Sequence, residues 1–140
     1  MKDYIIEKKI EQLITVHETR NPYQLAKENG IFILEENLGE VYGYFNTMKR
    51  RKFIHINENL DEQERLLTCC HELGHAILHQ TALTPALTRK NLVSDMKIER
   101  EANYFATKLI IDESHENYNI VTSFEILDYY GLPHSFERFL

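Results

Sequence analysis

Residues 71–75 read His-Glu-Leu-Gly-His. On a helix, positions i and i+4 share a face with β-carbons ~5–6 Å apart, so the imidazoles of His71 and His75 can grip one metal ion. Glu72 lies about 100° round the same helix, where its carboxylate can take a proton from a water beside that ion. Neutral imidazoles suit zinc, and zinc with an open position lowers the pKa of its water toward ~7. The spacing therefore predicts hydrolytic chemistry, with zinc on His71 and His75 and Glu72 as general base.

The pentapeptide arises in roughly one of 25 shuffled chains of this composition, so its surroundings must support it. They do: Leu66, Cys70, Leu73 and Ile77 form an apolar stripe, while His71 and His75 share a different face. A catalytic zinc needs a third protein ligand. His79 continues the series, but eight residues of helix put it ~12 Å from His71 along the axis, too far for one ion; it reads as a structural or rim histidine. Glu99 is preferred, because on the downstream helix it flanks a core stripe of Ile98, Ala102, Phe105, Ala106 and Leu109, whereas Glu101 lies about 100° from that stripe's centre. The alternative for both glutamates is a solvated helix face.

The elements that must position these groups follow from periodicity and punctuation. Ile6, Ile10, Leu13, Ile14 and His17 define a first helix ending before Asn21-Pro22, and a short second helix spans Pro22 to Asn29 with Gly30 as its cap. IFILE, EVYGYFN and KFIHI read as three antiparallel strands, with KFIHI as an exposed edge leading into the metal helix and offering backbone groups to an extended peptide. Asn59, with Glu62 reaching back, starts the metal helix, which runs to about Gln80. TALTPALTRKNLV reads as a loop bordering a cleft. Ser94 caps the next helix, which closes at Asp112-Glu113, and residues 123–140 read as helix, turn, helix.

With 140 residues, 43% of them hydrophobic and 27% charged, the chain suits one globular domain: a core over about 1–112 and a C-terminal helical segment over about 113–140. No apolar run approaches a membrane span, and the start lacks a signal-peptide pattern, so a cytoplasmic location is expected. Cys69 and Cys70 are adjacent and are expected as buried free thiols. The net charge of −6, and one Arg against three acidic residues in SFEILDYYGLPHSFERFL, argue against direct nucleic-acid binding.

His71-Glu-Leu-Gly-His75-Ala-Ile-Leu-His79, followed by Glu99-x-x-Ala102-Asn103-x-Phe105-Ala106, resembles the ImmA/IrrE family of metallopeptidases. NPYQLAKENGI, IHINENL and the terminal segment extend the likeness over nearly the whole chain. Glu99-x-x-x-Asn103 also resembles the glutamate-bearing helix of thermolysin-like enzymes, in which a residue four beyond the glutamate supports a ligand histidine; Asn103 takes that place. One departure is that Leu109-Ile110-Ile111 runs into Asp112 where the family usually reaches proline. The resemblance implies a zinc endopeptidase whose protein substrate is a helix-turn-helix repressor of a mobile element, phage or stress regulon, cut so that repression is relieved. The rival reading is a zincin-like protein that binds and blocks a repressor without cutting it.

The sequence thus predicts an α+β, zincin-like domain: a small sheet, the His71/His75 helix, the Glu99 helix and a C-terminal helix-turn-helix-like segment. One zinc is expected on His71, His75 and Glu99, with Glu72 catalytic. Tyr42, Tyr44, Tyr104 and His79 remain open as stabilisers of the oxyanion.

Overall fold

Fifteen residues with an apolar residue every third or fourth place make the first helix, α1 (Asp3–His17), which buries Ile6 and Ile10 and stops at Glu18 in the left-handed region (φ 55°). The computed structural model describes residues 1–140. In α2 (Pro22–Glu28) the Asn21 side chain accepts from the Tyr23 and Gln24 amides, satisfying two of the free N–H groups that open a helix. Three strands follow, β1 (Ile31–Glu36), β2 (Val41–Met48) and β3 (Arg51–Asn57), then α3 (Glu62–Leu78), β4 (Leu87–Thr88), α4 (Lys97–Ile110) and α5 (Ser123–Tyr130), with 3-10 turns at Asn91–Val93, Ser114–Tyr118 and His134–Phe139.

The α+β architecture around a small sheet matches the expectation, but the strand arrangement corrects it. Strand order is β1-β3-β2-β4. β2 and β3 form an antiparallel hairpin, whereas β1 runs parallel to β3 in the register Ile33↔Ile54 and Glu35↔Ile56. The hairpin inserts β3 between its two predecessors, which periodicity within each strand could not show. KFIHI is therefore central, with both ladders filled, and is not an edge. The outer side of β2 is taken by β4, a fourth strand inside the segment read as loop.

α3 packs across β2 and β3. Ile54, Ile56, Cys70 and Leu73 have no exposed surface, and two glycines set the spacing of the layers. A β-carbon on Gly43 would stand 2.5 Å from the His55 carbonyl oxygen and 2.6 Å from Thr68 Cγ2, so glycine lets β2 meet α3. One on Gly74 would stand 3.1–3.3 Å from the side chain of Phe105. Its absence draws α4 close against the middle of α3, the stretch that carries His71 and His75.

Several boundaries also shift. Asp61, not Asn59, caps α3, in a reciprocal box with Glu64; Asn59 instead donates to Asn37. α3 ends at Leu78, short of Gln80. α4 starts at Lys97 with no side-chain cap on Met96, while Ser94 Oγ accepts from the Met96 amide. The second arm of the terminal helix-turn-helix is a six-residue 3-10 turn after Pro133, too short to act as a recognition helix. Leu127, Leu132, Phe136 and Phe139 join the main core.

Candidate metal centre

Ten consecutive residues of α3, Leu67 to Ala76, are buried, and they include His71, Glu72 and His75. Facing them on α4 are Glu99, Ala102, Asn103 and Ala106, also buried. The alanines allow the backbones to approach, so a carboxylate reaches the histidines from the opposite helix. The structure thus brings together all four residues singled out for the site: His71, Glu72, His75 and Glu99 have no exposed surface.

The donor atoms converge. His71 Nε2 lies 3.1 Å from His75 Nε2 and 3.3 Å from Glu99 Oε2, and His75 Nε2 lies 2.8 Å from Glu99 Oε1. Three ligands at ~2.0–2.1 Å round a tetrahedral zinc stand roughly 3.3 Å apart, so the spacing fits a zinc-sized ion after small adjustments. Glu72 Oε2 is 3.9 Å from His71 Nε2, beside this cluster and outside its closest set. Neither oxygen of Glu72 has a hydrogen-bond partner, and those of Glu99 face only the two imidazoles. Buried carboxylates without donors are costly unless a cation meets them.

Surrounding groups fix the orientation of both rings. Asn103 Nδ2 donates to the Leu92 carbonyl at 3.1 Å, so its Oδ1, 2.7 Å from His71 Nδ1, is the acceptor. The neutral His71 ring then carries its hydrogen on Nδ1 and presents a bare Nε2 to the centre. His75 Nδ1 is 2.9 Å from His79 Nδ1, and His79 Nε2 is 2.9 Å from Glu101 Oε1. Read outward, His75 donates to His79 and His79 to Glu101, again leaving Nε2 of His75 free to bind metal.

Here the sequence reading needs correction. His79 and Glu101 are only 8% exposed, and together they support His75: of the two readings of His79 the structural one agrees with this geometry and the rim one does not, and Glu101 is not part of a solvated face. The available signal was the i, i+4 spacing of His75 and His79, which makes them neighbours even though His79 cannot share the ion. Nothing in the sequence pointed to Glu101 as its partner.

Electrostatics follow the geometry. Burial pushes the Glu72 carboxyl up to about 7, with Glu99 adding to the effect and His71 opposing it. Burial drives His75 down to about 4. His71 is held above its ordinary value, because Glu99 and Glu72 outweigh the burial that opposes them. Burial would raise Glu99, but the adjacent histidines hold it down at about 2. A carboxylate held ionised beside two imidazoles can hold a metal ion, and a carboxyl near neutrality is matched to proton transfer.

The tyrosines left open do not meet the centre. The Tyr104 hydroxyl donates to Glu7 at 2.7 Å and that of Tyr42 to Glu64 at 3.3 Å. Tyr44 stacks on His55, with ring centroids 4.1 Å apart, on the sheet face opposite Gly43 and α3. Cys69 and Cys70 are buried free thiols, as expected.

Residues 26–137 match the family model of the IrrE N-terminal-like domain, a peptidase family, and the chain belongs to that family. Its relatives include "Uncharacterized immunity region protein 2" of Bacillus phage phi105, 42% identical over 110 residues that cover 78% of this chain and 70% of the relative. Another is "Metallopeptidase ImmA" of Bacillus subtilis (strain 168), 34% identical over 114 residues that cover 80% of this chain and 66% of the relative. Membership implies a metal ion and a protein substrate. No helix is long and apolar enough to cross a membrane.

Proposed function

We propose that this chain is a zinc-dependent endopeptidase that cuts a helix-turn-helix repressor at one or a few bonds and so relieves repression. The observation that carries the reading is the convergence of His71, His75 and Glu99 within 2.8–3.3 Å of one another with Glu72 beside them. Two imidazoles and one carboxylate are the ligand set of a catalytic zinc, and His71, His75 and Glu99 would hold it with a position left for water or substrate.

Bound there, zinc supplies the Lewis acidity that makes water a nucleophile at neutral pH and polarises the scissile carbonyl. Glu72 accepts the proton of the attacking water and delivers it to the leaving amine. Asn103 holds His71, and His79 with Glu101 holds His75, so both rings keep Nε2 aimed at the centre. The buried walls exclude bulk water, which strengthens each of these interactions.

The repressor substrate rests on the family likeness, supported by a relative named for a phage immunity region. Incubating the zinc-loaded protein with the repressor encoded beside it, and separately with casein, tests it by mass spectrometry of the fragments. Selective cleavage of the repressor is the expected result. Rapid unselective digestion of casein with the repressor intact would remove the regulatory reading and leave the peptidase. Tight repressor binding without cleavage would favour a blocking protein.

A further inference from the structure

The proposed zinc centre has no exposed surface, so a substrate peptide bond cannot reach it in this conformation. Residues 80–96 connect His79, the C-cap of α3, to α4, and bear on the centre through the Leu92 carbonyl, which Asn103 bonds. Within them β4 lies antiparallel along the outer edge of β2, with Thr88 opposite Val41 and Leu87 opposite Gly43. Leu87 is fully buried and Leu92 is 8% exposed. Through Asn103, which bonds both the Leu92 carbonyl and His71, this segment is one side chain away from a proposed ligand.

Its hold is slight. β4 is two residues long, and its ladder is irregular between Val41 and Gly43. Asn91 Nδ2 donates to the Ala86 carbonyl at 2.7 Å, and the Asn91 amide to Thr88 Oγ1 at 3.2 Å. Residues 81–86 form no helix or strand, and Leu83 is fully exposed. A short, irregular strand between exposed loops opens more readily than the core beneath it.

We propose that residues 80–96 are an autoinhibitory strap: β4 occupies the β2 edge that an extended substrate strand takes, and substrate reaches the centre by displacing it. The inference rests on the zinc-peptidase reading for what is inhibited, but not for whether the strap opens. A flexible segment of several residues can replace the two-residue pairing of β4 with a longer ladder. A folded surface cannot, so the closed strap favours substrates with an extended segment and keeps activity low in their absence.

A reversible lock tests this. Val41→Cys/Thr88→Cys places two thiols on opposed positions of an antiparallel ladder, where α-carbons stand about 4.5–5.5 Å apart, within reach of a disulfide. Cys69 and Cys70 are buried, so oxidation acts on the introduced pair. The zinc-loaded variant is compared oxidised and reduced in two assays: cleavage of the repressor, and the rate at which a chromophoric chelator strips the zinc. The oxidised form should be slower than the reduced form by about tenfold or more in both. Asn91→Ala and Leu87→Asp should each release zinc faster than the parent. Equal rates in the oxidised and reduced forms would overturn the strap while leaving the peptidase intact. Redox-dependent zinc release with no cleavage by either form would support the strap and remove the peptidase reading.

Discussion

Replacing Asn103 with alanine removes two hydrogen bonds from a residue with no exposed surface: 2.7 Å to His71 Nδ1 and 3.1 Å to the Leu92 carbonyl. Their partners are buried too, so His71 N–H and the Leu92 oxygen lose these bonds where water does not reach. Each abandoned group costs about 1–3 kcal/mol, so the metal-free protein should lose about 2–5 kcal/mol after some relaxation. Freed to rotate, His71 no longer presents Nε2 in a fixed direction, and zinc affinity should fall by about 10–100-fold. Asn103→Asp separates the two effects. It retains an acceptor for His71, so zinc affinity should stay near that of the parent. It loses the donor to Leu92 and adds a buried charge near Glu99 and Glu72, so the metal-free protein should still be destabilised. Zinc competition against a chromophoric chelator gives the affinities, and urea unfolding with chelator present gives the stabilities. If Asn103→Ala bound zinc within about twofold of the parent, or Asn103→Asp bound as weakly as Asn103→Ala, the supporting role derived from the geometry would be wrong.

Other consequences are as direct. Glu99→Ala should abolish stoichiometric zinc by elemental analysis, whereas Glu101→Ala should retain it with affinity weakened about tenfold, as should His79→Ala; the reverse order for the two glutamates would exchange their roles. Gly43→Ala should lower stability by about 1–3 kcal/mol in thermal melts, because its β-carbon meets backbone as well as Thr68 and cannot be accommodated by rotamer change; an unchanged melting temperature would show that β2 and α3 are less closely fixed. The protein alone should not retard duplex DNA at physiological salt, since its terminal segment offers one Arg and no second α-helix; a sequence-specific gel shift would contradict this.

Local chemistry was more legible in the sequence than assembly. His71, Glu72 and His75 declare themselves by spacing on one helix, and Glu99 by its position beside an alanine-rich stripe, because helical period carries that information within a few residues. Asn103 was legible only through the likeness to other glutamate-bearing helices. The parallel β1–β3 pairing was not legible: each strand's alternation says which face is buried but not which neighbour it finds. The same ignorance made KFIHI an edge and hid β4, whose two residues pair only because β2 leaves a side open. Helix geometry keeps His79 from the ion and is consistent with a structural histidine, but does not say that its partner is His75. Glu101, the less favoured candidate for the third ligand, is instead buried beside His79 from the end of another helix.

The proposal that this centre holds zinc for peptide hydrolysis, with Glu72 as the base, is tested most directly by the Glu72→Gln protein beside its parent. Both are purified with zinc, analysed for metal and incubated with the repressor. The amide preserves the shape of the side chain but cannot accept the water's proton. Glu72→Gln should therefore carry one zinc per chain and bind the repressor as the parent does, with cleavage lost. Substantial cleavage by the zinc-loaded Glu72→Gln protein would contradict the role assigned to this residue, and a parent that binds no zinc would contradict the centre itself.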